Sequence, residues 1–304
     1  MSHESLKVVR EPGRPDGGAC GFVTVYLEQP GSPVVVLDEP LIARLEATLR
    51  SVAHSSPAPD GLILASSSTR VFVAGADLKT IQELDDARLE RYLEYGQRVF
   101  GLLSAMPCPT VAAINGPALG GGLEIAMHCD GLVAAPPPPG GRPYAVGLPE
   151  AGLAICPGWG GTNLLPARMN PAEAIRRTAE GSVLTFDQAA SAGLFDAVAA
   201  DADDLLPAAK RWLAGARTPP RDGAPSRWIG RLGAKARAMA ALDEVEPGLP
   251  GSASARAVVR AVRAGLEEGW QGALRVERRE LVRLRATPEG RSAIRSFFER
   301  GKAR

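Results

Sequence analysis

The chain has 304 residues and a mass of 31.8 kDa; 45% of its residues are hydrophobic and 23% are charged. This composition is typical of a globular protein with a substantial core and excludes a disordered or fibrous chain. No apolar run reaches the roughly 18 residues of a membrane span, and the N-terminal MSHESLKVV lacks a signal peptide's apolar stretch, so we expect a cytoplasmic protein. Cys20, Cys108, Cys129 and Cys156 form no C-x-x-C pair, which indicates neither a zinc site nor a disulfide framework.

Charge is distributed unevenly along the sequence. The net charge is only +1, but residues 205–304 carry 21 Lys and Arg against 10 Asp and Glu, which leaves 14 against 24 in residues 1–204. A basic region of this kind can serve an anionic ligand or nucleic acid. A simpler interpretation is an acidic body held by a basic arm within an oligomer.

Short strands and helices alternate through the first half of the chain. Residues 21–27 and 33–37 are predicted strands, and residues 40–52 have the apolar spacing of a helix. The pattern continues with a strand at 61–65, a helix at 85–106, a strand at 110–114, a helix at 121–130 and a strand at 131–135. This alternation predicts an α/β domain built from repeated strand and helix units.

The composition changes after residue 205. Residues 217–254 contain several Pro and Gly and are typical of a loop, whereas residues 255–300 repeat apolar side chains at helical spacing. We therefore divide the chain into a core at 1–205, a Pro-, Gly- and Arg-rich connection at 206–254, and a helical module at 255–304. That module is too short to form a core by itself.

Several common catalytic sets are absent from the sequence. The histidines are His3, His54 and His128, and there is no H-E-x-x-H, G-x-S-x-G or G-x-x-x-x-G-K-[ST] motif. His128 follows Glu124 by four residues on the predicted helix, so the two side chains can share a face. Because no second histidine lies nearby, we interpret His128 as a structural residue.

Three glycine-containing clusters remain as candidates for chemistry. They are VFVAGADLK at residues 71–79, INGPALGGGLEIAMHCD at 114–130 and GLPEAGLAICPGWGGT at 147–162. A glycine-rich turn that opens a helix leaves unpaired N–H donors, which are suited to stabilising an oxyanion. Any one such turn is as readily a simple chain reversal, and GPALGGG is not the dinucleotide pattern G-x-G-x-x-G.

In this order and spacing, the three clusters resemble the crotonase superfamily, which contains enoyl-CoA hydratases and isomerases. The resemblance spans the chain: it continues through residues 179–198, and residues 260–300 resemble the end of the hydratase part of the multifunctional fatty-acid oxidation enzymes. It implies an α/β fold, a crotonase-like spiral of repeated β-β-α units with a helical C-terminal module. It also implies assembly into homotrimers, or into hexamers made of two trimers.

The resemblance assigns catalytic roles to four positions. Ala76 and Gly121 would supply the two backbone N–H groups of an oxyanion hole for the thioester oxygen. Glu124 and Glu150 occupy the positions of the two catalytic carboxylates of family hydratases, which implies addition of water across the C2=C3 bond of a 2-enoyl-CoA. Taken singly, Glu124 is as readily a helix N-terminal acid and Glu150 an exposed loop acid.

The resemblance further implies binding of the substrate's CoA portion beside the first cluster and the C-terminal helices. Candidates for binding substrate or CoA are Ala74, Gly75, Asp77, Leu78, Lys79, Gly120 and Lys302, with Arg300 as a further cation. No metal or redox cofactor is implied. Residues 135–147, longer and richer in proline than is typical of the family, precede Glu150 and could reshape the acyl pocket.

Other readings stay open from the sequence. A Δ3-Δ2 enoyl-CoA isomerase, or another acyl-CoA lyase or hydrolase, would use the same oxyanion hole. A non-catalytic subunit or an RNA-binding protein is a more distant alternative. The C-terminal arginines alternate with Glu267, Glu268, Glu277 and Glu280 and form no unbroken basic stripe, which disfavours nucleic acid as a partner.

Overall fold

The computed structural model describes residues 4–11 and 21–302, with side chains up to residue 300. His3, Cys20 and the side chain of Lys302 lie outside these described residues. Within them the chain forms two sheets. The larger has the strand order β1-β2-β3-β4-β6-β9, and the smaller has the order β5-β7-β8.

The strands are β1 (Lys7–Arg10), β2 (Phe22–Leu27), β3 (Gly61–Ser66), β4 (Thr110–Ile114), β5 (Ala118–Leu119), β6 (Gly131–Ala134), β7 (Ala145–Gly147), β8 (Leu184–Thr185) and β9 (Ala197–Val198). The large sheet is parallel from β2 to β9, and only β1 runs antiparallel to its neighbour. In the small sheet β5 and β7 are parallel, while β7 and β8 are antiparallel. The mixed α/β class expected from the sequence is confirmed.

The helices are α1 (Glu39–Ala53), α2 (Leu78–Glu83), α3 (Asp86–Ser104), α4 (Gly121–Met127), α5 (Gly161–Leu164), α6 (Pro171–Glu180), α7 (Phe186–Ser191), α8 (Leu205–Gly215), α9 (Lys235–Val245), α10 (Ala253–Arg285) and α11 (Pro288–Lys302). Their starts follow local chemistry, because Asp38 and Asp85 accept hydrogen bonds from the first-turn amides of α1 and α3. A 3-10 turn, Glu150–Leu153, follows β7.

Both faces of the large sheet are covered. Leu62 and Leu64 of β3 belong to the main core, whereas Ile63 and Ala65 point to the opposite face beneath α8. This alternation explains why strands of a parallel sheet are continuously apolar, since each side must be buried. The main core extends from Leu6 to residues of α11, so the C-terminal helices share the core of the body.

The predicted strand at 33–37 does not form. Only an isolated bridge between Leu37 and Ala76 is present, with Leu37 N–H donating to the Gly75 carbonyl at 2.9 Å and Ala74 N–H donating to the Val35 carbonyl at 2.9 Å. Pro33 has no N–H to donate, and the partner segment is itself an irregular loop, so no ladder can extend. The segment instead holds the loop at residues 73–76 in place.

The C-terminal part is more helical than its composition indicates. The stretch expected as a connection, 206–254, contains most of α8 and all of α9. Helix α10 is broken at Gly269, whose φ of 80° is a left-handed conformation that favours glycine. Its two halves fold back on one another. Arg260 and Glu280, which a straight helix would separate by about 30 Å, form an ion pair of 2.8 Å.

The charge asymmetry is neutralised in part within the single chain. Arg285 pairs with Asp86, Arg221 pairs with Asp130 at 2.8 Å, and Arg227 pairs with Asp196 at 2.5 Å, each joining the basic C-terminal region to the acidic body. An oligomer is therefore not required to bring the opposite charges together. No helix of the described residues is both long enough and apolar enough to cross a bilayer.

Candidate active site

Two loops from different parts of the sequence meet at the edge of the small sheet. Val73 bridges to Ala118, and a side chain at Gly75, which has φ of +121°, would lie 3.1 Å from the Leu119 carbonyl oxygen. A Cβ on Gly121 would lie 3.3 Å from the amide nitrogen of Ala76. A positive φ and close backbone approach favour glycine at position 75, whereas at position 121 the Trp159 ring, which an added Cβ would overlap, excludes a side chain. The two loops thus place the Ala76 amide beside Gly121.

Neither of these two amides donates to another group among the residues that the structure describes. Ala76 bridges to Leu37 through its neighbours' peptide groups, and Gly121 is the first residue of α4, where N–H groups have no partner within the helix. Both residues line the same cavity. Two preorganised N–H donors therefore remain available to an oxygen atom placed there.

Glu124, in the first turn of α4, is buried with a 1% exposed side chain on the cavity wall. Its Oε1 accepts hydrogen bonds from the backbone N–H groups of Trp159 and Gly161, both at 2.8 Å. Burial raises the pKa of Glu124 to about 7, although these amide donors oppose the rise. A carboxyl group with such a pKa can take and return a proton near neutral pH.

Glu150 is the first residue of the 3-10 turn that follows β7, and it lines the same cavity as Glu124. Its Oε2 is buried and has no hydrogen-bond partner among the described residues. Burial, followed by the charges of Glu124 and Glu277, raises the pKa of Glu150 well above its ordinary value. The site therefore combines one carboxyl held by donors with another that favours its protonated form.

The remaining cavity wall is apolar. The cavity measures about 110 Å³. Its apolar side chains include Ile81, Leu93, Leu153, Ile155, Leu281 and Phe297. Because they come from α2, α3, the 3-10 turn, the segment that follows it, α10 and α11, the C-terminal helices help to close the site. A hydrocarbon chain is the ligand that such a wall favours.

Trp159 forms the floor of the site. Its indole N–H donates to the Leu93 carbonyl at 3.0 Å, and its ring packs edge-on against Tyr92 and Phe100. The residue is 1% exposed, which agrees with a packing role, although it also lines the cavity. His128 donates from Nε2 to the Trp159 carbonyl at 2.9 Å, and burial lowers its pKa to about 4, so it supports the floor as a neutral group.

Glu277 of α10 is a buried carboxylate that the sequence did not single out. Its side chain is fully buried and bonds to the same loop as Glu124, through Gly160 N–H at 2.5 Å and Thr162 N–H at 3.0 Å. Burial and the charge of Glu124 raise its pKa to about 8. The available signal was its place on an apolar stripe, since Ala273, Leu274 and Leu281 lie three or four residues away.

The structure brings together most of the residues selected from the sequence. Ala74, Gly75, Ala76, Leu78, Gly120, Gly121, Glu124 and Glu150 all line the cavity. Asp77 does not, because its side chain caps α2 by accepting from Lys79 N–H and the Thr80 hydroxyl. The Lys79 and Arg300 side chains are exposed and outside the cavity lining, and the Lys302 side chain lies outside the described residues.

The proline-rich segment does not reach the cavity. Residues 138–143 are exposed, and the first cavity-lining residue after them is Pro149. Tyr144 anchors the end of this segment by donating its hydroxyl to the Ala135 carbonyl at 2.7 Å. The segment therefore projects from the body, and the expectation that it could reshape the acyl pocket is not met in this structure.

Residues 25–221, about two thirds of the chain, match the protein family described as Enoyl-CoA hydratase/isomerase. The chain belongs to this family. The crotonyl-CoA hydratase of Syntrophomonas wolfei subsp. wolfei is 35% identical to this chain over 190 residues, which cover 62% of this chain and 70% of the relative. The fatty acid oxidation complex subunit alpha of Shewanella amazonensis is 31% identical over 290 residues, which cover 91% of this chain but only 39% of that longer protein.

Solved structures support the same fold for this family member. An enoyl-CoA hydratase from Bacillus halodurans has a TM-score of 0.65 at 20% identity and covers 95% of this chain and 99% of its own. An enoyl-CoA hydratase from Mycobacterium avium subsp. paratuberculosis has a TM-score of 0.64 at 20% identity and covers 98% and 97%. The crotonase-like fold expected from the sequence is confirmed, together with its helical C-terminal segment.

Proposed function

We propose that this protein is an enoyl-CoA hydratase, which adds water across the C2=C3 double bond of a 2-enoyl-CoA to give a 3-hydroxyacyl-CoA. The observation that carries the proposal is the joint placement of Glu124 and Glu150 on one apolar cavity, beside two amides that have no acceptor within residues 4–11 and 21–302. The similarity to a crotonyl-CoA hydratase supports the same substrate class.

The amides of Ala76 and Gly121 stabilise the thioester oxygen in this mechanism. When a nucleophile attacks C3, negative charge moves through C2 onto that oxygen and the substrate becomes enolate-like. Donors that are already aligned need no reorganisation as the charge develops, and removal of one such donor typically costs about 10²- to 10³-fold in rate. The apolar wall holds the acyl chain and limits competing water.

The two glutamates divide the proton transfers. Glu124, ionised and held by the Trp159 and Gly161 amides, takes a proton from water as the water oxygen bonds to C3. Glu150, protonated because of its raised pKa, delivers its proton to C2. Since the two carboxyls are coupled, their titrations belong to the pair. After one turnover Glu124 holds the extra proton and Glu150 lacks one, so a net proton transfer from Glu124 to Glu150, through exchange with solvent water, restores the starting state. No metal or redox cofactor takes part in these steps.

Isomerisation of a 3-enoyl-CoA is the main competing reaction on this scaffold. It needs a proton to be removed from C2 and returned to C4, which one carboxyl can perform. The presence of two carboxyls on the cavity favours hydration, since one can activate water while the other protonates carbon. A homotrimeric or hexameric assembly and a cytoplasmic location, which the family resemblance and sequence suggest, stay predictions.

The test is loss of the conjugated enoyl-thioester absorbance with crotonyl-CoA and a longer 2-enoyl-CoA, with the product identified by mass. Wild type is compared with Glu124→Gln and Glu150→Gln. We expect a product heavier by one water and a fall in kcat of at least about 10²-fold in each variant. Unchanged substrate with wild type, or full activity in both variants, would contradict the proposal. Conversion of a 3-enoyl-CoA without water addition would indicate the isomerase instead.

A further inference from the structure

Four successive amides in the loop at residues 159–162 alternate between two buried carboxylates. Trp159 and Gly161 donate to Oε1 of Glu124, both at 2.8 Å. Gly160 donates to Oε2 of Glu277 at 2.5 Å, and Thr162 donates to Oε1 at 3.0 Å from its amide and at 2.5 Å from its hydroxyl. The two carboxylates therefore hold opposite sides of the same short segment.

Glu277 reaches this loop from a distant part of the chain. It lies on the second half of α10, more than a hundred residues after the loop, and its side chain is 0% exposed. It does not line the cavity, so it stands behind the loop and away from the substrate. Gln97 supports the same connection, since its side-chain N–H₂ group donates to the Gly158 carbonyl at 2.8 Å and to the Leu274 carbonyl at 3.0 Å.

We propose that Glu277 is a positioning residue, which fixes the loop so that the amides of Trp159 and Gly161 stay directed at the catalytic carboxylate of Glu124. This inference rests on the proposed function, because it assigns Glu277 a role through the base of that reaction. It extends that function to a residue of the C-terminal helices that touches no reacting atom.

The loop needs such support because its sequence provides little rigidity. Residues 160 and 161 are both glycine, and Gly160 has φ of +102°, so the backbone is free of the restraint that a Cβ imposes. Adjacent peptide planes share a Cα atom, so a rotation about φ or ψ of Gly160 or Gly161 changes the direction of the amides on either side. If Gly160 and Thr162 lost their acceptor, the amides of Trp159 and Gly161 would turn away from Glu124.

Glutamine at position 277 is an informative substitution because both carboxylate oxygens are used as acceptors. The glutamine side chain has one oxygen and one N–H₂ group, so in either orientation one backbone amide faces a donor. Glu124→Gln differs in this respect, since the Trp159 and Gly161 amides share one oxygen, which glutamine retains. Glu277→Gln therefore disturbs the loop while leaving Glu124 itself intact.

Position and charge predict opposite shifts in the pKa of Glu124. Loss of aligned amide donors destabilises the Glu124 carboxylate and raises its pKa, whereas removal of the Glu277 charge lowers it, or leaves it unchanged where Glu277, with its pKa of about 8, is already protonated. The ionisable groups near Glu277 include Glu124 of α4, His128 directly after α4, Glu150 of the 3-10 turn, Cys156 of the following segment, and Glu280 of α10 with its partners Arg260 and Arg283. The sign of the shift thus separates the two roles.

The experiment compares Glu277→Gln with the matched control Glu280→Gln. Glu280 is a buried carboxylate one turn further along α10, but it pairs with Arg260 and Arg283 and makes no bond to the loop. We expect Glu277→Gln to lower kcat by about 10- to 100-fold with KM changed less than about threefold. The rising limb of its pH–kcat profile should move up by about one pH unit, since one hydrogen bond to a charged group is worth about that much. Glu280→Gln should match wild type in both.

A second pair of variants covers the case in which Glu277→Gln does not fold. Thr162→Val removes the hydroxyl that donates to Glu277, and Thr162→Ser keeps it. The valine variant should lose several-fold in kcat, with its rising limb shifted in the same direction, and the serine variant should retain wild-type behaviour. Equal activity of the two would overturn the proposal.

Infrared difference spectra recorded against pH give a readout independent of turnover. A protonated carboxyl has a carbonyl band that a carboxylate lacks, and the band absent from Glu124→Gln identifies Glu124. Its midpoint should rise in Glu277→Gln. A folded Glu277→Gln protein with wild-type kcat, or a midpoint that is unchanged or lower, overturns positioning. If wild type hydrates no enoyl-CoA but the midpoint still rises, the proposed function fails while the action of Glu277 on Glu124 stands.

Discussion

Glu124 and Glu150 lie on one cavity, but the chain surrounds them differently. Beside Glu124, the loop at 159–162 directs two amides at a single oxygen. Glu277 and His128 bond to that loop, and Gln97 bonds to Gly158 just before it. Beside Glu150, the short 3-10 turn leaves Oε2 without a hydrogen-bond partner in the described part of the chain. The backbone of one region favours an ionised carboxyl, whereas the apolar surroundings of the other favour a protonated one. In the proposed reaction, two residues of the same type thus take the opposite roles of base and acid.

Adding a methyl group beside each carboxyl tests this difference directly. A Cβ on Gly120 would lie 2.5 Å from Glu150 Oε1, at a residue whose φ is +52°, and a Cβ on Gly161 would lie 2.9 Å from Glu124 Oε1. We expect Gly120→Ala to lower kcat by about 10²-fold and Gly161→Ala by about tenfold, because the first displaces a carboxyl and also strains the backbone.

The control for both variants is Gly101→Ala in α3, where an added Cβ meets nothing within 4 Å. It should keep wild-type activity and gain helix stability of about 0.5 to 1 kcal/mol. Steady-state kinetics and thermal melting of the three variants provide the measurements. Wild-type kcat in Gly120→Ala would show that the position of Glu150 does not matter to the reaction.

The pH dependence of the reaction should report the two environments separately. Because the pKa of Glu124 is about 7 and the base must be ionised, kcat/KM should fall about tenfold per pH unit well below pH 7. Because the pKa of Glu150 is raised and the acid must be protonated, activity should fall again at higher pH. A flat profile between pH 5.5 and 7 would rule out Glu124 as the base.

Stability should also fall with rising pH, and this effect is the smallest of the three. The pKa values of Glu124 and Glu277, about 7 and 8, and the raised pKa of Glu150 lie above that of an unfolded glutamate, so the folded state binds more protons between pH 6.5 and 8. Unfolding free energy therefore decreases as pH rises through this window. His128 opposes the change only at the low end of the window, where an unfolded histidine is still partly protonated and the folded one, with a pKa of about 4, is neutral.

We expect the melting temperature of wild type to drop by a few degrees from pH 6.5 to 8, measured by circular dichroism. Glu150→Gln and Glu124→Gln should each remove part of the drop, because each variant deletes a carboxyl whose pKa is raised by burial. A melting temperature that rises over this range would contradict the assigned pKa directions.

The sequence predicted the site residues that lie within short, recognisable sequence clusters. Ala76, Gly121, Glu124 and Glu150 all lie in glycine-containing clusters whose order identifies the family, and the structure places all four on one cavity. The strand at 33–37 was wrong because β-branched residues indicate a strand only when a partner strand exists, and here the partner is an irregular loop.

Long-range contacts were not accessible in the same way. In the sequence, Glu277 is one of several charged residues on a basic helix. The break at Gly269 directs its half of α10 toward the loop at 159–162, and the sequence does not show this direction. Lys79, selected as a CoA-binding cation from its place beside the first cluster, lies in the first turn of α2, exposed and outside the cavity lining, and its role toward CoA stays a prediction. Spacing along the chain does not determine such directions.

Trp159 also links residues that are far apart in the sequence through their size. A Cβ on Gly96 of α3 would overlap the indole nitrogen, and a Cβ on Gly121 would overlap the indole ring. The large side chain at position 159 therefore fits only because positions 96 and 121 are glycine, so a larger residue at either position requires a smaller one at 159. A smaller side chain at position 159 would enlarge the cavity that this ring lines, so under the proposed function one aromatic ring limits the size of the acyl groups that can bind.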